Sequence, residues 1–415
     1  MEIDLNKIKK VFFVGIGGIG ISALAKMVIS RGIEVSGVND EESPKTLEPL
    51  RELGAEIFLQ KNFSVLPEAD LYIYSDAWIY RGPEILENAK ATGKPVLSYF
   101  EALGEFAKAY KVIAISGTHG KTTTTAMVAD IMVDAGLDPT VIVGSFVKKF
   151  GSNFRKGESE YLVVEADEYN RHMLNFHPFI SVITNIEADH LDCYKDLADI
   201  QEAFDIFISQ SQNHIKDYSK YLEKVPKLAV LGEHNRMNAA SALAVADMLG
   251  INLEEAGKTL ASFSGTWRRL EKKGVTETGT IVYDDYAHHP TEIRASLQAL
   301  REIYPKGSKK ITVLFQPHLY SRTKALFKEF SESFGLADEV LLLPIYFARE
   351  APDPEVSSGI LAEAINKNGQ SVLAFDSFEL AEAYVSGNTF SKDDIFVTMG
   401  AGEAYKVAEK CLKLV

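Results

Sequence analysis

Residues 112–136 read VIAISGTHGKTTTTAMVADIMVDAG. The apolar run from Val112 to Ile115 predicts a buried strand, and the glycines after it allow a helix to begin at Lys121. A strand, a glycine turn and a helix that opens with Gly-Lys-Thr bind phosphate, because backbone N–H groups, the helix dipole and the lysine charge all attract an anion. We expect Gly136 to end this helix, and its core face to consist of Met127, Val128, Ile131 and Met132.

The spacing of this turn differs from the common nucleotide-binding pattern, in which the first glycine lies five residues before the Gly-Lys pair. That position is Ile115 here, and the chain has the shorter Gly117-Thr-His-Gly120-Lys121-Thr122. The alternative is a plain strand-to-helix turn with a solvated lysine. The context favours a nucleoside triphosphate, with a threonine hydroxyl available to Mg²⁺.

Length and composition limit the classes of protein to consider. A chain of 415 residues predicts two to four domains. The 44 basic and 58 acidic residues leave a net charge of -14 with no long basic stretch, so we expect no nucleic-acid partner. Cys193 and Cys411 form no metal-binding or disulfide pattern. We see neither a signal peptide nor an apolar run of about 18 residues, and expect a cytoplasmic protein without membrane contact.

A second glycine turn lies near the N-terminus, where Gly15, Gly17 and Gly20 match the G-x-G-x-x-G pattern and Asp40 lies 20 residues further on. The turn lies between a strand at 11–14 and a helix at 21–30. The pattern is typical of NAD binding, but a UDP-sugar also places a diphosphate at a helix N-terminus, and a purely structural turn is the third alternative. Further apolar runs predict strands at 34–38, 55–58, 71–75, 95–97, 161–164, 180–184, 281–284, 311–315, 340–343, 372–375 and 395–398.

Polar residues follow several of these strands at the edge where doubly wound sheets bind ligands. Glu165 and His190 come after two strands of the central region and suit a Mg²⁺ site, against the alternatives of a helix-capping cluster and a surface histidine. Asn235 and Asn238 are three residues apart and share a helix face. Their amides could contact a nucleotide, and the alternative is that Asn235 caps the helix. Arg268 and Arg269 suit phosphate binding, with surface salt bridges as the alternative. Pro290 leaves two histidines, His288 and His289, at a positive helix end.

Eight motifs occur in a fixed order: GIGGIG, SGTHGKTTTT, EADE, TNIEADHLD, GEHNRMNAA, GTWRR, DDYAHHPTE and FQPHLYSRT. This series resembles the Mur ligases, the ATP-dependent enzymes that form amide bonds in peptidoglycan precursor synthesis. The resemblance implies an α/β fold with three domains. We expect a Rossmann-like UDP-sugar domain at 1–108, a P-loop ATP domain at 109–263 and a Rossmann-like ligase domain at 264–415, with a composite site in clefts between them.

The resemblance also implies the reaction, in which L-alanine is joined to the lactyl carboxylate of UDP-N-acetylmuramate through an acyl phosphate, with ATP and Mg²⁺. The residues implied in catalysis are Lys121, Glu165, His190, Arg269, Asp285 and His289. Those implied in binding ATP are Gly117, Thr118, His119, Gly120, Lys121, Thr122, Thr123, Asn235, Asn238 and Arg269. Those implied in binding the other substrates are Gly15, Gly17, Gly18, Gly20, His288, His318 and Arg322, and those implied in binding the metal are Thr122, Glu165 and His190.

Two departures from the family pattern are evident. Only 37 residues separate Tyr194 from Gly232, where the family usually has a longer, strand-rich piece, so we expect a smaller central domain. Tyr74-Ser-Asp76-Ala-Trp78 stands in place of a serine-rich turn, which leaves the contacts to uracil open.

Three other functions compete with this interpretation. A recycling ligase would attach a tripeptide to the same sugar, and glycine or L-serine could replace L-alanine as the acceptor. An NAD-dependent oxidoreductase would explain Gly15 to Gly20 and Asp40, but no further hydride-transfer pattern is present. An inactive regulatory homologue is disfavoured by the intact Lys121, Glu165 and His190. The oligomeric state is left open.

Overall fold

The computed structural model describes residues 4–347, 350–387 and 390–413. The N-terminal region forms a five-stranded parallel sheet in the order β3-β2-β1-β4-β5. Its elements are β1 (Lys10–Val14), α1 (Ile19–Ser30), β2 (Glu34–Asn39), α2 (Pro44–Glu52), β3 (Glu56–Leu59), β4 (Leu71–Tyr74), α3 (Trp78–Arg81), α4 (Pro83–Ala91), β5 (Val96–Ser98) and α5 (Tyr99–Ala107).

The central region forms a six-stranded sheet in the order β11-β10-β6-β9-β7-β8, in which only the β7–β8 pair is antiparallel. Its elements are β6 (Lys111–Ser116), α6 (Lys121–Asp134), β7 (Thr140–Val147), β8 (Ser152–Arg155), β9 (Tyr161–Glu165), β10 (Ile180–Ile183), α7 (Leu197–Ser209), β11 (Asn213–Ile215), α8 (Glu233–Met248) and α9 (Leu253–Ser262).

The C-terminal region forms a third sheet, in the order β12-β13-β17-β14-β15-β16, with only the β12–β13 pair antiparallel. Its elements are β12 (Glu271–Val275), β13 (Ile281–Asp285), α10 (Pro290–Ile303), β14 (Lys310–Phe315), α11 (Tyr320–Ala325), α12 (Phe327–Ser331), β15 (Glu339–Leu342), α13 (Ser358–Lys367), β16 (Val372–Ala374), α14 (Phe378–Gly387), β17 (Asp394–Met399) and α15 (Tyr405–Lys413).

The expected α/β fold class is confirmed, since each of the three sheets falls within one of the three predicted regions. The chain divides into two compact units, the first comprising residues 1–189, 193–227 and 238–264 and the second comprising 190–192, 228–237 and 265–415. The boundaries proposed at 108 and 263 stay predictions. Within the described ranges, no helix is both long and apolar enough to cross a membrane.

Every strand predicted from an apolar run is present, and each end agrees to within one residue. Four strands were not predicted. Of these, β8, β11 and β12 lie at the edges of their sheets, where one side of the strand lacks a neighbour and polar residues are tolerated. The fourth, β7, reads TVIVGSFV and contains Gly144, which obscures its apolar pattern.

One hydrophobic core joins the first two sheets into a single unit. Phe13 and Leu24 of the N-terminal region belong to the same buried cluster as Val164, Phe176 and Phe204 of the central region. Burial of apolar side chains is the main favourable term in folding, so this shared core holds the two sheets together. The two glycine turns consequently belong to one body.

A buried polar network crosses the same core. Lys26 of α1 is 5% exposed, and its Nζ donates hydrogen bonds to Asn153 Oδ1 (2.8 Å) and Ser152 Oγ (3.2 Å) of β8. Asn153 Nδ2 donates in turn to Ile19 O (2.6 Å) and Ser22 Oγ (2.9 Å). Burial lowers the pKa of Lys26, and the amide oxygen of Asn153 compensates part of its desolvation.

Replacing Asn153 tests how strongly this network contributes to stability. Asn153→Ala is expected to lower the free energy of unfolding by about 2–4 kcal/mol, because it leaves the Lys26 ammonium with one neutral partner in the core. Urea unfolding followed by circular dichroism measures the change. An Asn153→Ala protein as stable as the wild type would mean that the network does not hold α1 to β8.

Asp130 is a second buried polar group, on the helix that follows the central glycine turn. It is 4% exposed, and its Oδ1 has no hydrogen-bond partner among the described residues. Burial raises the pKa of Asp130 to about 6, with Lys149 opposing and Asp134 adding to the shift. The folded protein therefore favours the neutral carboxyl of Asp130. The stability linked to this protonation is fully present below the ordinary pKa of 3.8 and is lost as the pH rises through about 6.

Asp130→Asn is expected to stabilise the protein in a pH-dependent way, since the amide mimics the neutral acid. The gain in unfolding free energy should grow between about pH 4 and pH 6 and reach about 2–3 kcal/mol at pH 8. Denaturant unfolding at pH 5 and pH 8 measures this gain.

Asp134→Asn is the matched control, one turn later on the same helix. Asp134 accepts hydrogen bonds from Lys149 and Thr259 and has a lowered pKa, so its replacement should destabilise the protein. A constant or negative effect of Asp130→Asn would contradict the burial argument.

Candidate active site

Residues that follow β10 fix the glycine turn between β6 and α6. Thr118 N donates to Asn185 O (3.1 Å), His119 N donates to Asn185 Oδ1 (2.9 Å), and Thr184 Oγ1 donates to His119 O (2.6 Å). Gly117 has φ 133°, and a Cβ there would lie 2.1 Å from Thr184 Oγ1. The neighbouring strand therefore sets the shape of the turn, and a side chain at 117 would disrupt it.

The turn presents the N-terminus of α6. The first backbone bond of the helix runs from Thr124 N to Gly120 O (2.9 Å), so the N–H groups of residues 121–123 precede the helical ladder. Gly120 has φ 86°, and a Cβ there would lie 2.3 Å from Asn238 Oδ1. The structure thus brings together the expected phosphate-binding residues 117–123 and the amide of Asn238.

The ammonium group of Lys121 lies over this turn. Its Nζ donates to Glu168 Oε2 (2.7 Å), Gly117 O (2.7 Å) and Thr118 O (3.3 Å). Burial alone would lower the pKa of Lys121, but the negative charges of Glu168 and Asp167 outweigh it and raise the pKa. The lysine therefore stays positively charged, as phosphate binding requires.

Sequence reasoning did not single out Glu168 as a site residue. Its side chain is 3% exposed and pairs with a lysine that is 17% exposed. The EADE motif contains three acids, and only the folded chain shows which one faces Lys121.

Thr122 and Glu165, two of the three expected metal ligands, are in contact. Thr122 Oγ1 donates to Glu165 Oε2 (3.0 Å), and Glu165 Oε1 accepts from Gly144 N (2.5 Å). A hydroxyl and a carboxylate are the oxygen ligands that Mg²⁺ prefers, so these residues fit the ion. His190, the third expected ligand, has φ 55° and belongs to the second unit. Its metal-binding role stays a prediction.

The N-terminal glycine turn also presents a helix N-terminus. Gly15 has φ 84°, and Ser22 N donates the first bond of α1 to Gly18 O (2.9 Å), so the N–H groups of residues 19–21 precede the ladder. The N–H of Gly17 instead donates to Asn39 Oδ1 (3.0 Å). The N–H of Gly18 likewise donates to Gly15 O (3.2 Å). The diphosphate site expected of Gly15, Gly17, Gly18 and Gly20 stays a prediction.

The unusual segment at 74–78 closes one side of this turn. Trp78 is 2% exposed, and a Cβ on Gly15 would lie 2.3 Å from its indole ring. Asp40, the acid that would meet a ribose hydroxyl, pairs with Arg81 of α3 at 2.5 Å. An NAD ribose would have to compete with that arginine for Asp40.

In the second unit, Asp285 ends β13 in a buried position. Its Oδ1 accepts from Ala287 N (3.2 Å), and its Oδ2 accepts from the hydroxyl of Ser296. Burial raises the pKa of Asp285 to about 6, with Ser296 and Arg269 opposing the shift. The carboxylate is thus held in one orientation beside the positive charge of Arg269.

The two neighbouring arginines differ sharply. Arg268 is 4% exposed and donates from Nε to Asp284 Oδ2 (2.9 Å), from Nη1 to Gly402 O (3.0 Å) and from Nη2 to Gly400 O (2.6 Å). These bonds give it a structural role, so the expectation that Arg268 reaches phosphate is wrong. Arg269 has a side chain 30% exposed, lies over the ring of Tyr286 at 5.1 Å, and stays the candidate.

His288, His318 and Arg322 form one cluster, as expected for residues that bind a common ligand. The rings of His288 and His318 are 6.0 Å apart, and Arg322 Nη1 lies 3.3 Å from His318 Nδ1. His318 also stacks on Tyr346. The cluster combines a guanidinium with two imidazoles, which suits a carboxylate ligand.

Two other expected site residues have local structural contacts. His289 Nδ1 accepts from Thr291 N (3.2 Å), and Glu292 completes a capping box at the start of α10. Asn235 Nδ2 donates to Leu231 O (2.7 Å). Roles of His289 in catalysis and of Asn235 in nucleotide binding stay predictions.

Family models match three segments of the chain. The Mur ligase family catalytic domain matches residues 10–111, the Mur ligase middle domain matches 115–219, and the Mur ligase glutamate ligase domain matches 268–402. The three matches follow one another along the chain and each contains one of the three sheets or most of it.

Two relatives that align over nearly the whole chain have the same name. The chain is similar to the UDP-N-acetylmuramate–L-alanine ligase of Caldanaerobacter subterraneus (38% identical, covering 100% of this chain and 99% of the relative) and to that of Clostridium kluyveri (39%, covering 99% of each). The first alignment extends over 463 positions, so this relative has residues with no counterpart in the 415-residue chain. This agrees with the expected shortening, although its place between 194 and 232 stays a prediction.

Solved structures show the same architecture. The UDP-N-acetylmuramate–alanine ligase of Thermotoga maritima matches with a TM-score of 0.80 at 28% identity, covering 98% of both chains. A murein peptide ligase of Psychrobacter arcticus matches with a TM-score of 0.69 at 22% identity and the same coverage, which supports the fold alone.

The arginine pair offers a matched test of the local geometry. Arg268→Ala is expected to lower the free energy of unfolding by about 3–5 kcal/mol, because it leaves Asp284 buried without its ion-pair partner. Arg269→Ala should change it by less than about 1 kcal/mol, because Arg269 is partly exposed. Urea unfolding compares the two proteins. Equal losses would assign Arg269 a structural role as well.

Proposed function

The chain belongs to the Mur ligase family, and from this membership we propose that it joins L-alanine to the lactyl carboxylate of UDP-N-acetylmuramate with consumption of ATP. Relatives that bear the name of this activity align over the whole chain. The observation that carries the proposal is the convergence of Lys121, Thr122 and Glu165 at one helix N-terminus.

The reaction needs activation because a carboxylate is a poor electrophile. The lactyl carboxylate attacks the γ-phosphorus of ATP and ADP leaves, which gives an acyl phosphate. The amine of alanine then attacks the acyl carbon, phosphate departs, and the amine loses a proton. This chemistry requires positioning and charge stabilisation more than a protein nucleophile, which agrees with the absence of a nucleophile motif.

Lys121 and the N-terminus of α6 provide the positive environment for the triphosphate. The ammonium would exchange Glu168 for phosphate oxygens and stabilise the negative charge that develops on them. Thr122, Glu165 and His190 would hold Mg²⁺, which when bound neutralises phosphate charge. Asn235, Asn238 and the other turn residues complete the proposed ATP site.

The remaining parts of the chain are assigned by their chemistry. We assign the sugar diphosphate to the turn at Gly15 to Gly20, because a helix N-terminus attracts phosphate. The cluster of His288, His318 and Arg322 would recognise a carboxylate, either that of the muramyl group or that of alanine. The proposed domains are thus 1–108 for the sugar nucleotide, 109–263 for ATP and 264–415 for the amino acid.

A cytoplasmic location completes the proposal. The two cysteines of the chain, Cys193 and Cys411, form no disulfide or metal-binding pattern in the sequence, which suits a reducing compartment. ATP and a UDP-sugar would both have to be present in that compartment.

Phosphate release from ATP tests the function directly. Purified protein receives Mg²⁺, ATP and UDP-N-acetylmuramate with L-alanine, glycine, L-serine or the tripeptide in turn. We expect L-alanine to give the highest kcat/KM. Release with the tripeptide alone would assign the protein to peptide recycling, and NADH oxidation without ATP turnover would reject the ligase class.

Variants in the same assay test the placement of ATP. Lys121→Ala should lower kcat more than about a hundredfold, because the ammonium stabilises charge that develops in the transition state. Lys111→Ala is the matched control. It removes an exposed lysine at the start of β6 that pairs with Glu160, and it should retain activity. Full activity in Lys121→Ala would remove the basis for ATP at this turn.

A further inference from the structure

Tyr99 lies beside the N-terminal glycine turn. It is the first residue of α5, which begins with a capping box formed by Ser98 and Glu101. A Cβ built on Gly20 would lie 2.9 Å from the Tyr99 hydroxyl oxygen and 3.0 Å from its Cζ atom. Glycine at position 20 therefore leaves room for the phenol, and the hydroxyl lies at the N-terminus of α1.

The charges of two carboxylates that follow β9 also act on this hydroxyl. Burial raises the pKa of Tyr99, and the negative charges of Glu165 and Asp167 raise it further. Tyr99 is therefore a neutral hydrogen-bond donor at any physiological pH. All these residues belong to the first unit. The Tyr99 hydroxyl therefore lies beside the glycine turn and within the electrostatic influence of the carboxylates that follow β9.

The hydroxyl of Tyr99 differs from those of the four buried tyrosines in this unit. Tyr72, Tyr194, Tyr218 and Tyr221 each donate to a backbone carbonyl or a carboxylate. Among the described residues, the Tyr99 hydroxyl has no hydrogen-bond partner, although the side chain is mostly enclosed. The hydroxyl is not among the buried atoms that lack a partner, so it reaches solvent, and an oxygen of a ligand can replace water there.

We propose that the Tyr99 hydroxyl donates a hydrogen bond to an anionic oxygen of the sugar nucleotide and positions it between the glycine turn and the carboxylate edge. The inference rests on the proposed function, since it names a contact of that substrate. A neutral donor suits this place, because it attracts an anion near Glu165 and Asp167 without pairing permanently with either acid. The oxygen belongs to the diphosphate or to the lactyl carboxylate.

Tyr99→Phe is the sharpest test, since it removes one oxygen and keeps the ring that packs edge-on against Phe100, with ring centroids 4.6 Å apart. A hydrogen bond to a charged oxygen predicts a rise of about tenfold to a hundredfold in KM for UDP-N-acetylmuramate. The KM for ATP should not change, because the proposed contact is with the sugar nucleotide. The melting temperature should not change either, because the hydroxyl has no hydrogen-bond partner among the described residues.

Tyr72→Phe is the matched control. The Tyr72 hydroxyl donates to Pro67 O (2.9 Å) and accepts from Ala69 N (3.3 Å), so its loss should lower the melting temperature and leave both KM values unchanged. A merely structural Tyr99 would behave in the same way. That outcome, or a Tyr99→Phe enzyme with unchanged KM for the sugar nucleotide, would overturn the inference.

Equilibrium binding identifies the oxygen. Calorimetry compares the binding of UDP with that of UDP-N-acetylmuramate. Both ligands contain uridine and the diphosphate, but only the second contains the muramyl sugar with its lactyl carboxylate. Equal weakening of both by Tyr99→Phe supports the diphosphate contact, and weakening of the sugar nucleotide alone supports the carboxylate contact. A wild-type protein that does not consume ATP with this sugar would refute the proposed function itself, whereas an active wild type with an unaffected Tyr99→Phe refutes only the role of Tyr99.

Discussion

The ion pair between Lys121 and Glu168 is the interaction on which the site depends. A lysine enclosed at a helix N-terminus must have an anionic partner, because the helix dipole and desolvation both oppose its charge. Glu168 is that partner, at 2.7 Å. A triphosphate brings more negative charge to the same place and can replace the carboxylate. We propose that the pair keeps the ammonium charged and in position for the nucleotide.

The fold supplies this pair by simple means. Strands β6, β9 and β10 are parallel neighbours, so their carboxyl ends meet at one edge of the sheet. The end of β6 provides the glycine turn, β9 provides Glu165 and Glu168 follows it, and the segment after β10 fixes the turn through Asn185. A shared core joins this sheet to the N-terminal one. That core holds the N-terminal glycine turn in the same body, with Tyr99 beside that turn.

Much of this architecture could be predicted from the sequence. Long apolar runs between glycines marked the buried parallel strands, and motif spacing placed Lys121, Thr122 and Glu165 at one edge. Polar edge strands such as β12, which reads EKKGV, lack that pattern because only one side of them is paired. The sequence also could not show which of two adjacent residues of the same type is buried. Tertiary contacts bury Arg268 and leave Arg269 partly exposed, but nothing in the sequence distinguishes them. Tyr99 carried no signal, since its partner-free hydroxyl exists only in the folded chain.

The most direct measurement is the structure of the protein with Mg²⁺ and a non-hydrolysable ATP analogue. We expect the Lys121 ammonium to leave Glu168 and to lie about 3 Å from oxygens of the β- and γ-phosphates, at the N-terminus of α6. A triphosphate bound elsewhere, with Lys121 still paired to Glu168, would contradict the assignment of this turn as the site where ATP activates a carboxylate.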